Sequence, residues 1–139
     1  MVTTQLTKIS SVIPCLRYRD ARAAIDWLVE AFGLIEAMVA EGPDGVINHA
    51  ELTWDNGMVM LGSEPQADEP GRLSWPSGAG SVYVIVDDPD AHHERAVAAG
   101  AEIVLPLKDE DYGSRGYTAR DPEGNLWSFG TYRPEPPAG

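Results

Sequence analysis

Three turn-forming positions recur along this chain at one spacing of 67 residues: Asp20 with Asp87, Gly33 with Gly100, and Gly57 with Gly124. Each copy opens with a short apolar strand running into the aspartate and continues through a helix-compatible stretch to a glycine. Each then ends in a turn, Asp55-Asn56-Gly57 or Pro122-Glu123-Gly124, followed by an apolar strand. A period this long restricts the chain to two copies of one supersecondary unit. The order within the unit reads β-α-β-β-β. The expected fold is therefore α+β, two βαβββ modules whose curved mixed sheets form a cleft. The expected divisions are an N-terminal extension at 1–9, a first module at 10–62, a linker at 63–80, a second module at 81–133 and a frayed tail at 134–139.

Local signals support the order. Val12 to Tyr18 reads as a strand, and Asp20 caps a helix whose apolar stripe, Ile25, Leu28, Val29 and Phe32, ends at Gly33. Strands follow over Leu34 to Ala40, Val46 to Trp54 and Met58 to Leu61, with turns at Gly42-Pro43-Asp44-Gly45 and Asp55-Asn56-Gly57. In the second module Ser81 to Val86 is a strand. Asp88 caps a helix with Pro89 at its first position, running to Gly100. Glu102 to Leu105, Arg115 to Arg120 and Leu126 to Tyr132 complete the strands, while Lys108 to Gly113 reads as a mobile loop. The linker holds Pro65, Pro70, Gly71 and Pro76 with no clear period, and Trp75 either pins it to the core or overhangs a ligand site.

Composition narrows the function classes. Ten Lys and Arg stand against 22 Asp and Glu, a formal net charge of −12. Such a surface repels phosphate backbones and carries no basic stripe, so nucleic acid is not an expected partner, whereas cationic small molecules are favoured. No apolar run reaches the ~18 residues needed to span a membrane, and the N-terminus lacks a signal-like pattern. One cysteine, Cys15, fits a reducing compartment, and the expected location is the cytoplasm.

The strand–Asp–helix–Gly opening and the segment Arg120-Asp121-Pro122-Glu123-Gly124-Asn125-Leu126-Trp127-Ser128-Phe129-Gly130 resemble the vicinal oxygen chelate superfamily, which contains glyoxalase I, extradiol dioxygenases, and fosfomycin- and bleomycin-resistance proteins. The resemblance runs over about residues 10 to 133. It implies a homodimer and a cleft with four metal-ligand positions, which fall here at Ile13, Glu51, Ser81 and Ser128. Only Glu51 is an acid or imidazole. A transition metal wants three or more N, O or S donors, so the expectation is a site without a metal.

Candidate chemistry then rests on few side chains. His49 and Glu51 share one strand face and suit an acid/base pair, two ligands of a metal site, or a simple mutual hydrogen bond. Ser81, Tyr83 and Ile85, with Leu126, Ser128, Gly130 and Tyr132, are expected to face inward as an aromatic and hydroxyl-bearing pocket around Glu51. Val82, Val84, Val86, Trp127 and Phe129 would form core on the opposite faces, joined by Trp54. Tyr112 and Arg115 sit in a glycine-flanked segment suited to contact ligand. His92-His93-Glu94 reads as a solvated helix face, Cys15 as a small buried residue, and Asp121 to Gly124 as a turn. No Walker loop, dinucleotide fingerprint or nucleophile elbow is present.

The leading expectation is metal-free binding of a small organic ligand, cationic or aromatic, through Ile13, His49, Glu51, Ser81, Tyr83, Tyr112, Arg115 and Ser128. The alternatives are a divalent-metal enzyme of the glyoxalase or dioxygenase type, using Glu51 and His49, and a non-catalytic structural module.

Overall fold

The computed structural model describes residues 8–65 and 75–138. Most of the expected N-terminal extension, and linker residues Pro70 and Gly71, lie outside them. The elements run β1 (Cys15–Tyr18), α1 (Ala21–Phe32), β2 (Ile35–Glu41), a single 3-10 turn at Pro43–Gly45, β3 (Ile47–Trp54) and β4 (Gly57–Ser63), then β5 (Ser81–Ile85), α2 (Pro89–Ala98), β6 (Glu102–Asp109), β7 (Arg115–Arg120) and β8 (Leu126–Gly130). They form two four-stranded sheets of identical order, β1-β4-β3-β2 and β5-β8-β7-β6. Within each, the first strand pairs parallel with the last, and the remaining pairs are antiparallel. The repeat in the sequence is thus a repeat in topology. No helix among the described residues is long and apolar enough to cross a membrane.

The helix ends form as their residues dictate. The Asp20 carboxylate accepts from Ala23 N at 3.1 Å, and Asp88 accepts from Ala91 N at 3.1 Å, each satisfying one of the first-turn donors. Gly33 closes α1 at φ 77°, a backbone conformation open to glycine at little cost. One face of α1 is buried through Ile25, Leu28 and Phe32, and Phe32 packs on Trp127 and Phe129 of the other module at ring separations of 5.5 and 4.6 Å. Tyr18 of β1 completes this core with Val84, Val86, Trp127 and Phe129, the last four as the alternation continuing along β5 and β8 requires. Trp54 packs against it, its indole N–H donating to Ile85 O at 2.9 Å.

Three expectations about particular residues are corrected. His92 is buried (7% exposed), not on a solvated face. Pro89, His92 and Ala96 are the buried positions of α2, at i, i+3 and i+7, so His92 occupies the apolar stripe. Its Nε2 meets Phe32 O at 2.8 Å and its Nδ1 meets the Tyr117 hydroxyl at 2.6 Å; the neutral tautomer with the proton on Nε2 satisfies both. Together with Arg95, which donates to Glu30 O and Val29 O at 2.9 and 3.1 Å, it caps the C-terminal carbonyls of α1 from α2. Cys15 is exposed rather than buried, because Leu16 and Tyr18 take the core-facing positions of β1 and alternation turns Cys15 outward. Lys108 and Asp109 belong to strand β6, not a loop. That strand continues through Pro106 because it lies on the sheet edge, where a missing N–H breaks no ladder.

The Asp121–Gly124 turn ties the modules together. Asp121 is 4% exposed. Its Oδ2 accepts from the Tyr18 hydroxyl at 2.5 Å, Trp127 Nε1 at 3.1 Å and Asn125 Nδ2 at 3.2 Å, while Oδ1 accepts from the backbone of Glu123 and Asn125. Burial, with the Asp121 carboxylate beside it, drives the Tyr18 hydroxyl far above its ordinary pKa. Glu123 accepts from the N–H groups of Arg19 and Asp20 at 2.6 and 2.8 Å and from Ser77 Oγ at 2.5 Å. Burial alone would raise its pKa, but these hydrogen bonds outweigh it and hold the carboxyl below its usual range. One turn of the second module therefore seats the start of α1 and the end of the linker.

Candidate functional site

Because the two helices meet between the modules, each sheet buries its helix-side face and leaves the other face open. On the open face of the first sheet, registers align Cys15 with Met60, Met60 with Glu51, and Glu51 with Met38. Alternation adds Arg17, His49, Thr53, Met58 and Ile35 to the same face. His49 Nε2 lies 2.9 Å from Glu51 Oε2, so these two neighbours engage each other. The Arg17 guanidinium lies 4.6 Å from the Trp75 ring centroid, which places the linker tryptophan over the face that carries Glu51. Three methionine thioethers make this face apolar and adaptable.

The open face of the second sheet holds a cavity of about 510 Å³. Six expected residues line it: Tyr83, Tyr112, Arg115, Ser128, Gly130 and Tyr132. Its hollowness has a local cause. Gly116 and Gly130 pair across β7 and β8, so no side chain rises from the middle of the face. A Cβ on Gly116 would approach Phe129 O to 2.6 Å, and one on Gly130 would lie 3.2 Å from the Tyr83 hydroxyl. The wall is aromatic. Tyr83 donates to Tyr132 O at 2.7 Å, and Tyr112 meets Tyr132 edge-on at 5.8 Å. Burial raises the Tyr83 pKa, keeping that hydroxyl a donor.

The polar groups of this cavity are largely engaged already. Arg115 is held by Asp90 at 2.9 Å and Asp109 at 3.2 Å, and the Arg115 hydrogen bond holds the Asp90 carboxyl below its usual range. Lys108 lies 3.7 Å from Glu110. Thr118 Oγ1 and Ser128 Oγ are 2.8 Å apart. Cationic charge is thus neutralised locally, and what faces the cavity is tyrosine area with hydroxyls. Sequence reasoning missed Thr118, Leu105 and Lys108 in this lining. Thr118 lies opposite Ser128 in register and was within reach of alternation once that strand pairing was known. Lys108 lies beyond the expected strand end at Leu105, and the facing of Leu105 depends on a β6–β7 register that is irregular there and that no local period encodes.

The remaining expected residues lie elsewhere. Ile13 precedes β1 and is half-buried, His49 and Glu51 stand on β3 of the first sheet, and Ser81 is exposed at the start of β5. None of the four lines the tyrosine cavity, so in one chain Glu51 and Tyr83 occupy different open faces. A metal is poorly served by these donors. Among the described residues no three His, Cys, Asp or Glu side chains cluster as a metal site. Glu51 is engaged by His49, Ile13 has no donor, and Ser81 and Ser128 offer only hydroxyls.

Similarity to known proteins agrees with this geometry. The chain is 36% identical over 121 residues to an uncharacterised protein of Mycobacterium bovis, covering 84% of this chain and 80% of that one. It is similar to the crystal structure of TioX from Micromonospora sp. ML1, with 39% identity, a TM-score of 0.73, and coverage of 89% of this chain and 99% of that one. A lactoylglutathione lyase from Agrobacterium tumefaciens shares the fold at 21% identity and a TM-score of 0.66, covering 87% of this chain and 92% of that chain. The sequence profile of the glyoxalase/bleomycin resistance protein/dioxygenase superfamily matches residues 8–129. With two βαβββ modules in matching strand order and a profile match across nearly its whole length, the chain belongs to the glyoxalase/bleomycin resistance protein/dioxygenase superfamily.

Proposed function

We propose that this protein binds a small aromatic, cationic organic molecule without a metal, on the tyrosine-lined face of its second module. The observation that carries the reading is the cavity of about 510 Å³ over the Gly116–Gly130 pair, walled by Tyr83, Tyr112 and Tyr132. Its volume falls within the ~300–1,000 Å³ of small-molecule sites. Tyrosine rings supply stacking area and a negative π-face for a cation, each contact contributing about 0.5–1 kcal/mol at an exposed position. The net charge of −12 adds long-range attraction for a cation.

The site is completed in a homodimer. Supporting this, both open faces display apolar groups, Ile35 and Met38 on one and Tyr83 and Leu105 on the other. Among the described residues the outer edges of β1 and β5 also have no sheet partner. A two-fold pairing that sets the Glu51 face of one copy against the tyrosine face of another gives the guest a carboxylate opposite the aromatic wall. Sedimentation at micromolar concentration is expected to give a dimer.

The test is a screen of planar aromatic cations, such as acridinium dyes, by fluorescence. The expected result is saturable binding that Glu51→Ala abolishes and that a neutral isostere of the same dye does not reproduce. Unchanged affinity in Glu51→Ala would remove Glu51 from the site, and equal affinity for the neutral isostere would remove the charge argument.

A further inference from the structure

We infer that the seam between the two modules is a second binding site, for a small molecule with an aromatic body and a zwitterionic head, the chemistry of an aromatic α-amino acid. The seam holds a separate cavity of about 300 Å³, at the small end of the usual range for such sites. Its floor is Leu34, Leu52 and Trp127, none more than 4% exposed, and its walls include Trp54 and Val82. The Trp54 N–H is already committed to Ile85 O at 2.9 Å, so that indole offers apolar ring surface to an occupant. Only Tyr83 is common to this cavity and the tyrosine face, and the inference stands independently of the function proposed for that face.

The rim identifies the head group. Asp55 and Asn56 enter it from the β3–β4 hairpin, and Arg133 enters it from the segment after β8. Neither Asp55 nor Arg133 has an ion-pair partner among the described residues, in contrast to Arg115, which has two. An apolar hollow is thus bordered by one carboxylate and one guanidinium that no described residue pairs. An ammonium at Asp55 and a carboxylate at Arg133, above a ring held against Trp54 and Val82, satisfies both charges that border the cavity. A purely apolar guest leaves both charges unused, and a guest with one charge leaves one.

The experiment is a titration of the ¹⁵N-labelled full chain, following the Trp54 and Trp127 indole N–H signals. The probes are L-phenylalanine, phenethylamine (cation only) and 3-phenylpropionate (anion only). Phenylalanine is expected to bind saturably and about tenfold or more tighter than either analogue, one charge-assisted contact being of that size. Arg133→Ala is expected to remove its advantage over phenethylamine, and Asp55→Asn its advantage over phenylpropionate. Both positions are exposed, so folding is preserved. Val82→Trp, which fills the hollow, is expected to abolish binding, whereas Ser128→Trp on the tyrosine face leaves it intact. No saturable shift with millimolar phenylalanine would overturn the inference. So would equal affinity for all three probes, or loss of binding in Ser128→Trp but not in Val82→Trp.

Discussion

Replacing Tyr18 by Phe removes one oxygen from the centre of the intermodule contact and leaves the ring in place. The ring is fully buried, and its hydroxyl donates to Asp121 Oδ2 at 2.5 Å, across 103 residues of sequence. A hydrogen bond to a charged acceptor contributes about 1.5–3 kcal/mol net. Oδ2 keeps two other donors, Trp127 Nε1 and Asn125 Nδ2, so Tyr18→Phe does not orphan the carboxylate. The expected loss is therefore near the middle of that range, about 2 kcal/mol, or about 7 °C in Tm for a chain of this length. Asp121→Ala is expected to cost at least twice as much, because it strands the Tyr18, Trp127 and Asn125 side-chain donors in the core together with two backbone N–H groups. Urea unfolding followed by tryptophan fluorescence measures both, and a double-mutant cycle isolates the pair. In the Asp121→Ala background, Tyr18→Phe should cost almost nothing. A loss below about 0.5 kcal/mol in the wild-type background, or an equal loss in both backgrounds, would refute the role assigned to this contact.

Two further perturbations probe other parts of the structure. Burial lowers the His92 pKa below its ordinary value near 6.5, so the unfolded chain takes up a proton before the folded one does. Stability from this residue is therefore complete above about pH 6.5 and declines as the pH falls from there toward the lowered folded value. The difference in urea midpoint between wild type and His92→Gln should shrink over that interval, and a pH-independent difference would contradict the neutral buried imidazole. Gly78→Ala places a Cβ against the Glu123 carbonyl oxygen at φ 86°, while Gly100→Ala, at φ 88°, meets nothing within 4 Å. Both carry the ~1 kcal/mol of a left-handed alanine, and Gly78→Ala should cost about 2 kcal/mol more. Equal costs would mean that the linker does not rest on the turn.

How far the sequence disclosed this structure depends on the range of the interaction. The helix caps Asp20 and Asp88, the left-handed Gly33 and the alternation of Val84, Val86, Trp127 and Phe129 are local patterns, and all appear in the structure. His92 was legible in principle. The weakly apolar α2 has few hydrophobic side chains, and placing Pro89 and Ala96 on one stripe puts His92 between them. The residues that cap α1 from α2 and the Tyr18–Asp121 contact join positions tens of residues apart, and no local period encodes them. For the candidate site, alternation sets the faces within each strand, and the pairing of β5 with β8 brings Tyr83 opposite Ser128. Alternation carried no information about the relation between the two sheets, and Glu51 and Tyr83 stand on separate open faces of one chain. The hollow itself depends on Gly116 facing Gly130, a register that only the pairing of β7 with β8 defines.

The most direct measurement is the affinity of one planar aromatic cation for the wild-type protein and for Tyr112→Ala. Tyr112 is 66% exposed and makes a single edge contact with Tyr132, so its removal leaves the fold intact while stripping stacking area from the cavity wall. The account predicts saturable binding to wild type that weakens about two- to fivefold in the variant, the loss of one exposed cation–π contact. Identical affinities, or no binding by either protein, would contradict the claim that the tyrosine-lined face is where this protein takes its ligand.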